Sequence, residues 1–156
     1  MINSVSLKLP CKQNNIDIIL STIKAFLSTS DLSEEYNIDI TNDTIQSVLT
    51  AATEGIQNCI DHAYEKHTGE MRISMNIYNN LNNAKSNTLK HEVDLSITIK
   101  DYGIGIENIE EAMEPFYTTK NKTNSGMGFE IMKCYMDEVY VESNKGTEVK
   151  LIKHLN

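Results

Sequence analysis

The sequence lacks the features that mark several classes of protein. It has a single arginine, Arg72, and a formal net charge of −8, whereas a nucleic-acid-binding protein normally carries a basic stripe that displaces counterions from phosphate. None of its apolar runs is long enough to cross a bilayer, and no apolar stretch follows a basic start at the N terminus, so no signal peptide is expected. We therefore expect partners other than nucleic acid and membranes.

The cysteines do not suggest a disulfide framework or a metal site. Cys11, Cys59 and Cys134 are odd in number, far apart and without a CxxC pair. Reduced thiols in a cytoplasmic protein account for them most simply. The acidity has two explanations: it keeps the domain soluble, or it speeds encounter with a basic protein partner.

Hydrophobic periodicity predicts alternating helices and strands within a single domain, residues 1–156, without internal repeats. The first elements are a strand over 3–9, an amphipathic helix over 14–26, a polar connection over 28–37, and a second helix capped by Asn42 or Asp43. The later ones are strands at 70–78 and 92–100 around an Asn-rich flexible hairpin loop (79–91), helices at 109–113 and 127–136, and two closing strands around a Lys-Gly turn. This pattern predicts an α/β fold of the α+β two-layer sandwich type, in which helices pack on one face of a mixed, mostly antiparallel sheet.

The second helix carries a polar pair beside its apolar stripe. Glu54 and Asn58 are four residues apart, so they share one helical face. An isolated E-x-x-x-N is more often an exposed pair without function. Alternatively, a carboxylate beside a carboxamide oxygen can hold Mg²⁺ and orient a nucleophile.

Two glycine-rich stretches raise a similar choice. In "ITIKDYGIGI" a strand ends on Asp101, which Gly103 and Gly105 follow; this is either a hairpin turn or a place where a ligand approaches the main chain. In "SGMGFEI" Gly126 and Gly128 precede a helix, whose N-terminal N–H groups would suit phosphate.

Taken in chain order, "EGIQN", "DYGIG" and "SGMGFEI" resemble the N-box, first glycine box and second glycine box of the ATPase and kinase superfamily of gyrase, Hsp90, histidine kinases and MutL. Together with "DHAYE", "MEPFYTTKNKTN" and the closing "GTEVKLIKHL", they make the chain similar to the small anti-sigma factor serine kinases, most closely those of the anti-sigma-F type in sporulating bacteria. The resemblance implies a Bergerat-type ATP-binding fold with ATP and Mg²⁺ as cofactors.

The resemblance also implies a role for individual residues. Glu54 would be the catalytic base that takes a proton from an incoming hydroxyl, and Asn58 would hold Mg²⁺. Asp101 would accept a hydrogen bond from the adenine amine, supported by Thr147, with Gly103 and Gly105 leaving room for the nucleotide. Residues 114–125 would form the ATP lid, and the residues at the phosphates would be Thr119, Lys120, Ser125, Gly126, Met127 and Gly128.

The sequence departs from those relatives at two positions. Asn124 stands where they tend to carry an arginine, so that Lys120 or Lys122 would take its role. Ala63 stands where a glycine often follows the helix histidine, His62, and is expected to crowd a backbone contact.

The implied function is that of an anti-sigma factor. Such a chain would bind and inhibit an RNA polymerase sigma factor, phosphorylate a serine of an anti-anti-sigma (STAS-type) protein, and form a homodimer. Two alternatives are the detached ATP-binding domain of a histidine kinase, for which the chain lacks an upstream helical hairpin with a phosphoacceptor His, and a nucleotide-binding regulatory module without kinase activity.

Overall fold

The computed structural model describes residues 1–30, 32–65, 67–80, 92–116 and 126–155. Its strands are β1 (Asn3–Pro10), β2 (Glu70–Asn80), β3 (Glu92–Asp101), β4 (Glu138–Asn144) and β5 (Gly146–Leu155). Its helices are α1 (Ile16–Thr29), α2 (Ser33–Tyr36), α3 (Asn42–Asn58), α4 (Ile109–Ala112) and α5 (Gly128–Tyr135). A 3₁₀ turn (Gln13–Asn15) precedes α1, and a π-helical segment (Cys59–Ala63) continues α3.

The strands form one sheet in the order β1-β2-β3-β5-β4, and each adjacent pair is antiparallel. The strands β3 and β4 run in the same direction, but β5 lies between them, so the described strands form no parallel pair. The predicted fold class, a mostly antiparallel sheet with helices on one face, is confirmed. A mixed sheet was expected, but all described strand pairs are antiparallel, because the β4–β5 hairpin places β5 between β3 and β4.

The hydrophobic core lies between one face of the sheet and the helices. Alternate residues of β2 and β3 point to this face, as the period of two of a strand requires. The residues that fill the core from β2 and β3 are fully buried: Met71, Ile73, Met75, Ile77, Val93, Leu95, Ile97 and Ile99. They pack against buried residues of α1 and α3 such as Ile19, Ile23, Val48, Ala52 and Ile56. None of the described helices is long and apolar enough to cross a membrane.

The structure corrects several predicted boundaries. The N-cap of α3 is Thr41, not Asn42 or Asp43, because Thr41 has the extended backbone of a cap and its hydroxyl accepts a hydrogen bond from the N–H of Thr44 at 3.2 Å. The expected connection over 28–37 contains α2. Strand β2 extends to Asn80, so that the predicted loop over 79–91 begins two residues too early; residues 81–91 lie outside the described part.

A polar cluster links three strands on the outer face of the sheet. Asp94 of β3 is buried, and its Oδ1 lies 2.7 Å from Nδ1 of His154 in β5. Oε1 of Glu138, in β4, lies 3.5 Å from Nε2 of the same histidine, and Asp137 accepts the backbone N–H of His154. The hydrogen bond to Asp94 is the main cause that raises the pKa of His154.

This cluster predicts a pH dependence of stability. Because the pKa of His154 is raised above 6.5 in the fold, protonated His154 stabilises the protein fully below pH 6.5, and this contribution is lost as the pH rises through the folded-state pKa. We expect the free energy of unfolding to fall by up to about 1 kcal/mol over that range, since His154 is partly exposed. Denaturant titrations at a series of pH values measure it. His154→Gln should flatten the dependence and His67→Gln should keep it; an unchanged slope in His154→Gln would contradict the prediction.

Candidate nucleotide site

The carboxylate of Asp101 is buried at the end of β3, with 3% of the residue exposed. Its Oδ1 accepts two backbone hydrogen bonds, from the N–H of Gly103 at 2.9 Å and from that of Thr147 at 3.1 Å. Its Oδ2 has one partner in the described residues, the thiol of Cys59 at 3.6 Å. Because a carboxylate oxygen can accept more than one donor, Oδ2 keeps the capacity to bind a donor from a ligand.

Two glycines let the main chain close around Asp101. A Cβ on Gly103 would lie 1.9 Å from the carbonyl oxygen of Ala63, the atom that accepts the N–H of Ile104 at 3.0 Å. Gly146 begins β5 with φ +86°, and a Cβ there would lie 2.2 Å from the carbonyl oxygen of Asp101. The backbone of Ala63 therefore packs closely against this loop, because Gly103 provides the space.

The remaining predicted residues of this region lie against the β4–β5 turn. Thr147 contacts Asp101 through its backbone N–H, while its hydroxyl lies 3.4 Å from Oγ of Ser143. Oγ of Ser143 also accepts the N–H of Ile106 at 2.7 Å. Gly105, with φ +78°, packs against Ser143 and the backbone of Asn144. The second glycine of "DYGIG" thus allows a close contact with protein, a contact that the sequence did not indicate.

Glu54 and Asn58 meet the N terminus of α5. A Cβ on Gly128 would lie 3.2 Å from Oε2 of Glu54 and 3.5 Å from both Oδ1 and Nδ2 of Asn58. Within the described part of the chain, neither side chain has a hydrogen-bond or ion-pair partner. Burial raises the pKa of the Glu54 carboxyl. The structure therefore brings the N-box and the second glycine box together around a half-buried carboxylate.

The start of α5 has no side-chain cap among the described residues. Its N-cap residue is Met127, and Gly126 before it has φ +65°. The first N–H groups of a helix have no partner within the helix and favour an anion. The N–H of Phe116 donates to the carbonyl oxygen of Gly126 at 2.9 Å, so the residues that flank 117–125 are in contact. Thr119, Lys120 and Ser125 lie outside the described residues.

Comparison with known proteins decides the family. Residues 14–153 match the model of the histidine kinase-like ATPase domain. The chain is 35% identical to the anti-sigma F factor of Clostridium perfringens, over all of this chain and 99% of that protein. It is 38% identical to the anti-sigma F factor of Anoxybacillus flavithermus, over 99% of this chain and 94% of that protein. The chain belongs to the anti-sigma F factor family of histidine kinase-like ATPase domains.

A solved structure supports the fold of this family member. The crystal structure of the RsbU and RsbW domains of a Mycobacterium tuberculosis protein superposes with a TM-score of 0.58 at 13% sequence identity, covering 98% of this chain and 32% of that one. At this identity the likeness concerns the fold alone. ATP binding follows from membership of an ATPase family. The match also confirms the resemblance to the ATPase and kinase superfamily that the three sequence boxes indicated.

Several residues of this anti-sigma F family site were not predicted. Besides Ser143, Tyr64 joins two parts of it: its hydroxyl donates to the carbonyl oxygen of Glu70 at 2.6 Å and accepts the N–H of Tyr102 at 2.9 Å. Cys59 follows Asn58 directly but was not predicted as a residue of the site. The signal available for Cys59 was its position at the end of the N-box.

The donor atoms around Asn58 are compatible with Mg²⁺. Among the residues that the structure describes, no three His, Cys, Asp or Glu side chains cluster as a metal site. Mg²⁺ usually takes only one or two protein ligands and completes its shell with substrate phosphates and water. Asn58, which lies beside Gly128 at the N terminus of α5, fits that role.

Proposed function

We propose that this chain is an ATP- and Mg²⁺-dependent serine protein kinase that phosphorylates and inactivates an anti-anti-sigma (STAS-type) protein, and that it binds and inhibits an RNA polymerase sigma factor. The observation that carries the kinase reaction is the half-buried Glu54 carboxylate, which has no described partner and lies with Asn58 beside Gly128. The relatives named anti-sigma F factor support the sigma partner. By the same likeness we propose a cytoplasmic homodimer.

Each group of the site has a task in this proposal. Oδ2 of Asp101 accepts the adenine amine, and the N–H groups at Gly126, Met127 and Gly128 receive the phosphates. Asn58 holds Mg²⁺, which neutralises charge on the phosphates. Residues 114–125 close as the ATP lid, with Thr119, Lys120 and Ser125 at the phosphates.

Glu54 acts on the substrate protein. The serine hydroxyl gives its proton to Glu54 while its oxygen bonds to the γ-phosphorus, and the bond from that phosphorus to the β–γ bridging oxygen breaks to release ADP. Phosphoryl transfer depends mainly on positioning and charge neutralisation, so this set of groups is sufficient. A pKa raised by burial makes the carboxylate a better base near neutral pH.

The test combines partner capture with phosphate transfer. Partners copurified from the native cell should include a sigma factor and a small STAS-type protein. With γ-labelled ATP the STAS-type protein should acquire phosphoserine. Capture of the sigma factor should weaken as salt rises, since the chain is acidic. Phosphohistidine as the product would favour a histidine kinase domain, and ATP binding without transfer would favour a regulatory module; either result contradicts the serine kinase.

A further inference from the structure

The two oxygens of the Asp101 carboxylate are held in different ways. Two backbone N–H groups fix Oδ1, at Gly103 and Thr147. Oδ2, the oxygen left for a ligand, is held by a single side chain in the part of the chain that the structure describes, Cys59. The direction in which Oδ2 faces its ligand therefore depends on this thiol.

Cys59 reaches Asp101 from the end of the N-box helix. It is the first residue of the π-helical segment, directly after Asn58, and only 5% of it is exposed. π-helical turns occur frequently at functional sites. Cys59 thereby connects the helix that carries Glu54 and Asn58 to the carboxylate at the end of β3.

The thiol is suited to orient Oδ2 without occupying it. Cys59 is buried, and its sulfur lies 3.6 Å from Oδ2 of Asp101, so the thiol is placed to donate its S–H to that oxygen. An S–H group is a weak donor. Oδ2 can therefore still accept a stronger N–H donor from a ligand while the thiol keeps the carboxylate from turning.

We propose that Cys59 is a positioning residue for the nucleotide base: its S–H···Oδ2 hydrogen bond holds Asp101 in the orientation that accepts an exocyclic amine. This inference rests on the proposed role of Asp101 in adenine binding. The alternative is that Cys59 only fills space in the core, and that any small apolar residue would serve equally.

Three variants separate the donor from the filled volume. Cys59→Ala removes the hydrogen-bond donor and the volume of the sulfur. Cys59→Ser keeps a hydrogen-bond donor but loses about as much side-chain volume as Cys59→Ala. Cys11→Ala is the matched control, because Cys11 is also buried and its pKa is raised to about 11 by burial and Asp101, yet it makes no hydrogen bond to Asp101 in the described residues. Calorimetry measures the affinity of each protein for ATP and for inosine triphosphate, which carries an oxygen in place of the amine.

The expected result depends on both the variant and the base. Cys59→Ala should bind ATP about two- to tenfold more weakly, the scale of one modest hydrogen bond, with a smaller change for inosine triphosphate. Cys59→Ser should bind ATP more tightly than Cys59→Ala, and Cys11→Ala should match the wild type. In the wild-type protein, the infrared S–H stretching band that Cys59→Ala removes should shift when ATP binds.

Other outcomes overturn the inference. Equal losses of ATP and inosine triphosphate in Cys59→Ala and Cys59→Ser would indicate packing alone, as would an S–H band that ATP leaves unchanged. If the wild type binds ATP and Cys59→Ala binds it equally well, this inference fails and the proposed function stands. If the wild type does not bind ATP, both fail. If Cys59→Ala does not fold, Cys11→Ala and Cys134→Ala assign the S–H bands of the other two free cysteines, and the remaining band of the wild type is that of Cys59.

Discussion

Glu54→Gln is expected to lower the rate of phosphoryl transfer by about a hundredfold or more, the usual scale for a positioned general base, while ATP binding is retained. Glutamine keeps the size and polarity of the side chain but cannot take the proton of the serine hydroxyl. Because the Glu54 carboxylate has no partner in the described part of the chain, the substitution breaks no hydrogen bond among those residues. A loss of activity would therefore reflect chemistry, not misfolding.

The measurement is single-turnover transfer from labelled ATP to the STAS-type protein, with ATP affinity measured on the same sample. Glu142→Gln is the matched control, because it removes the same charge from an exposed position in β4 and should leave the rate unchanged. The wild-type rate should rise with pH through the raised pKa of Glu54, and this rise should be absent in the variant. An unchanged rate in Glu54→Gln would mean that another group is the base.

Asp101→Asn is expected to weaken ATP binding by about a hundredfold, the upper range for a hydrogen bond to a charged group. The reason lies in the two backbone donors at Oδ1. The N–H groups of Gly103 and Thr147 require an acceptor there, so the amide oxygen of asparagine must take that place. Its NH₂ group then takes the place of Oδ2 and faces the adenine amine with a second donor.

This orientation of the introduced amide predicts that the variant changes its base preference, in addition to losing affinity for ATP. Inosine triphosphate offers an oxygen where ATP offers an amine, so its affinity should be retained or rise in Asp101→Asn. Asp94→Asn is the matched control, since Asp94 lies on the same strand and is equally buried, but on the opposite face of the sheet. Calorimetry with both nucleotides measures the effect. Equal losses for the two nucleotides, or an unchanged preference for ATP, would contradict this role of Asp101.

The positions of the main elements could be predicted because local patterns specify them. The alternation of β3 and its end on Asp101 are visible in ten residues, and the stripe of α3 is visible in its spacing. The strand order could not be predicted. The position of β5 beside β3 depends on contacts between distant residues, such as Thr147 and Asp101, which are 46 residues apart. The cap at Thr41 was missed because three neighbouring residues are all good caps, and only the backbone geometry distinguishes them.

In the candidate site, too, residues defined by a local motif could be predicted, and residues defined by distant contacts could not. Glu54, Asn58 and Gly128 were identified by their motifs, and the structure brings them together. Cys59 and Ser143 were not identified, because a cysteine or serine acquires its role here only through a partner that is distant in the sequence. The π-helical segment that positions Cys59 is a rare geometry with no established sequence signal.

The place of β5 in the sheet has a consequence for the newly made protein. This strand is the last of the five described strands to leave the ribosome, yet it occupies an interior position between β3 and β4. Until it docks, β3 presents an open edge, which is prone to pair with other chains. Asp101 also lacks the N–H of Thr147 until then. The proposed nucleotide pocket is therefore completed only when the closing hairpin has folded, so a nascent chain would gain this site and lose its aggregation-prone edge in the same step.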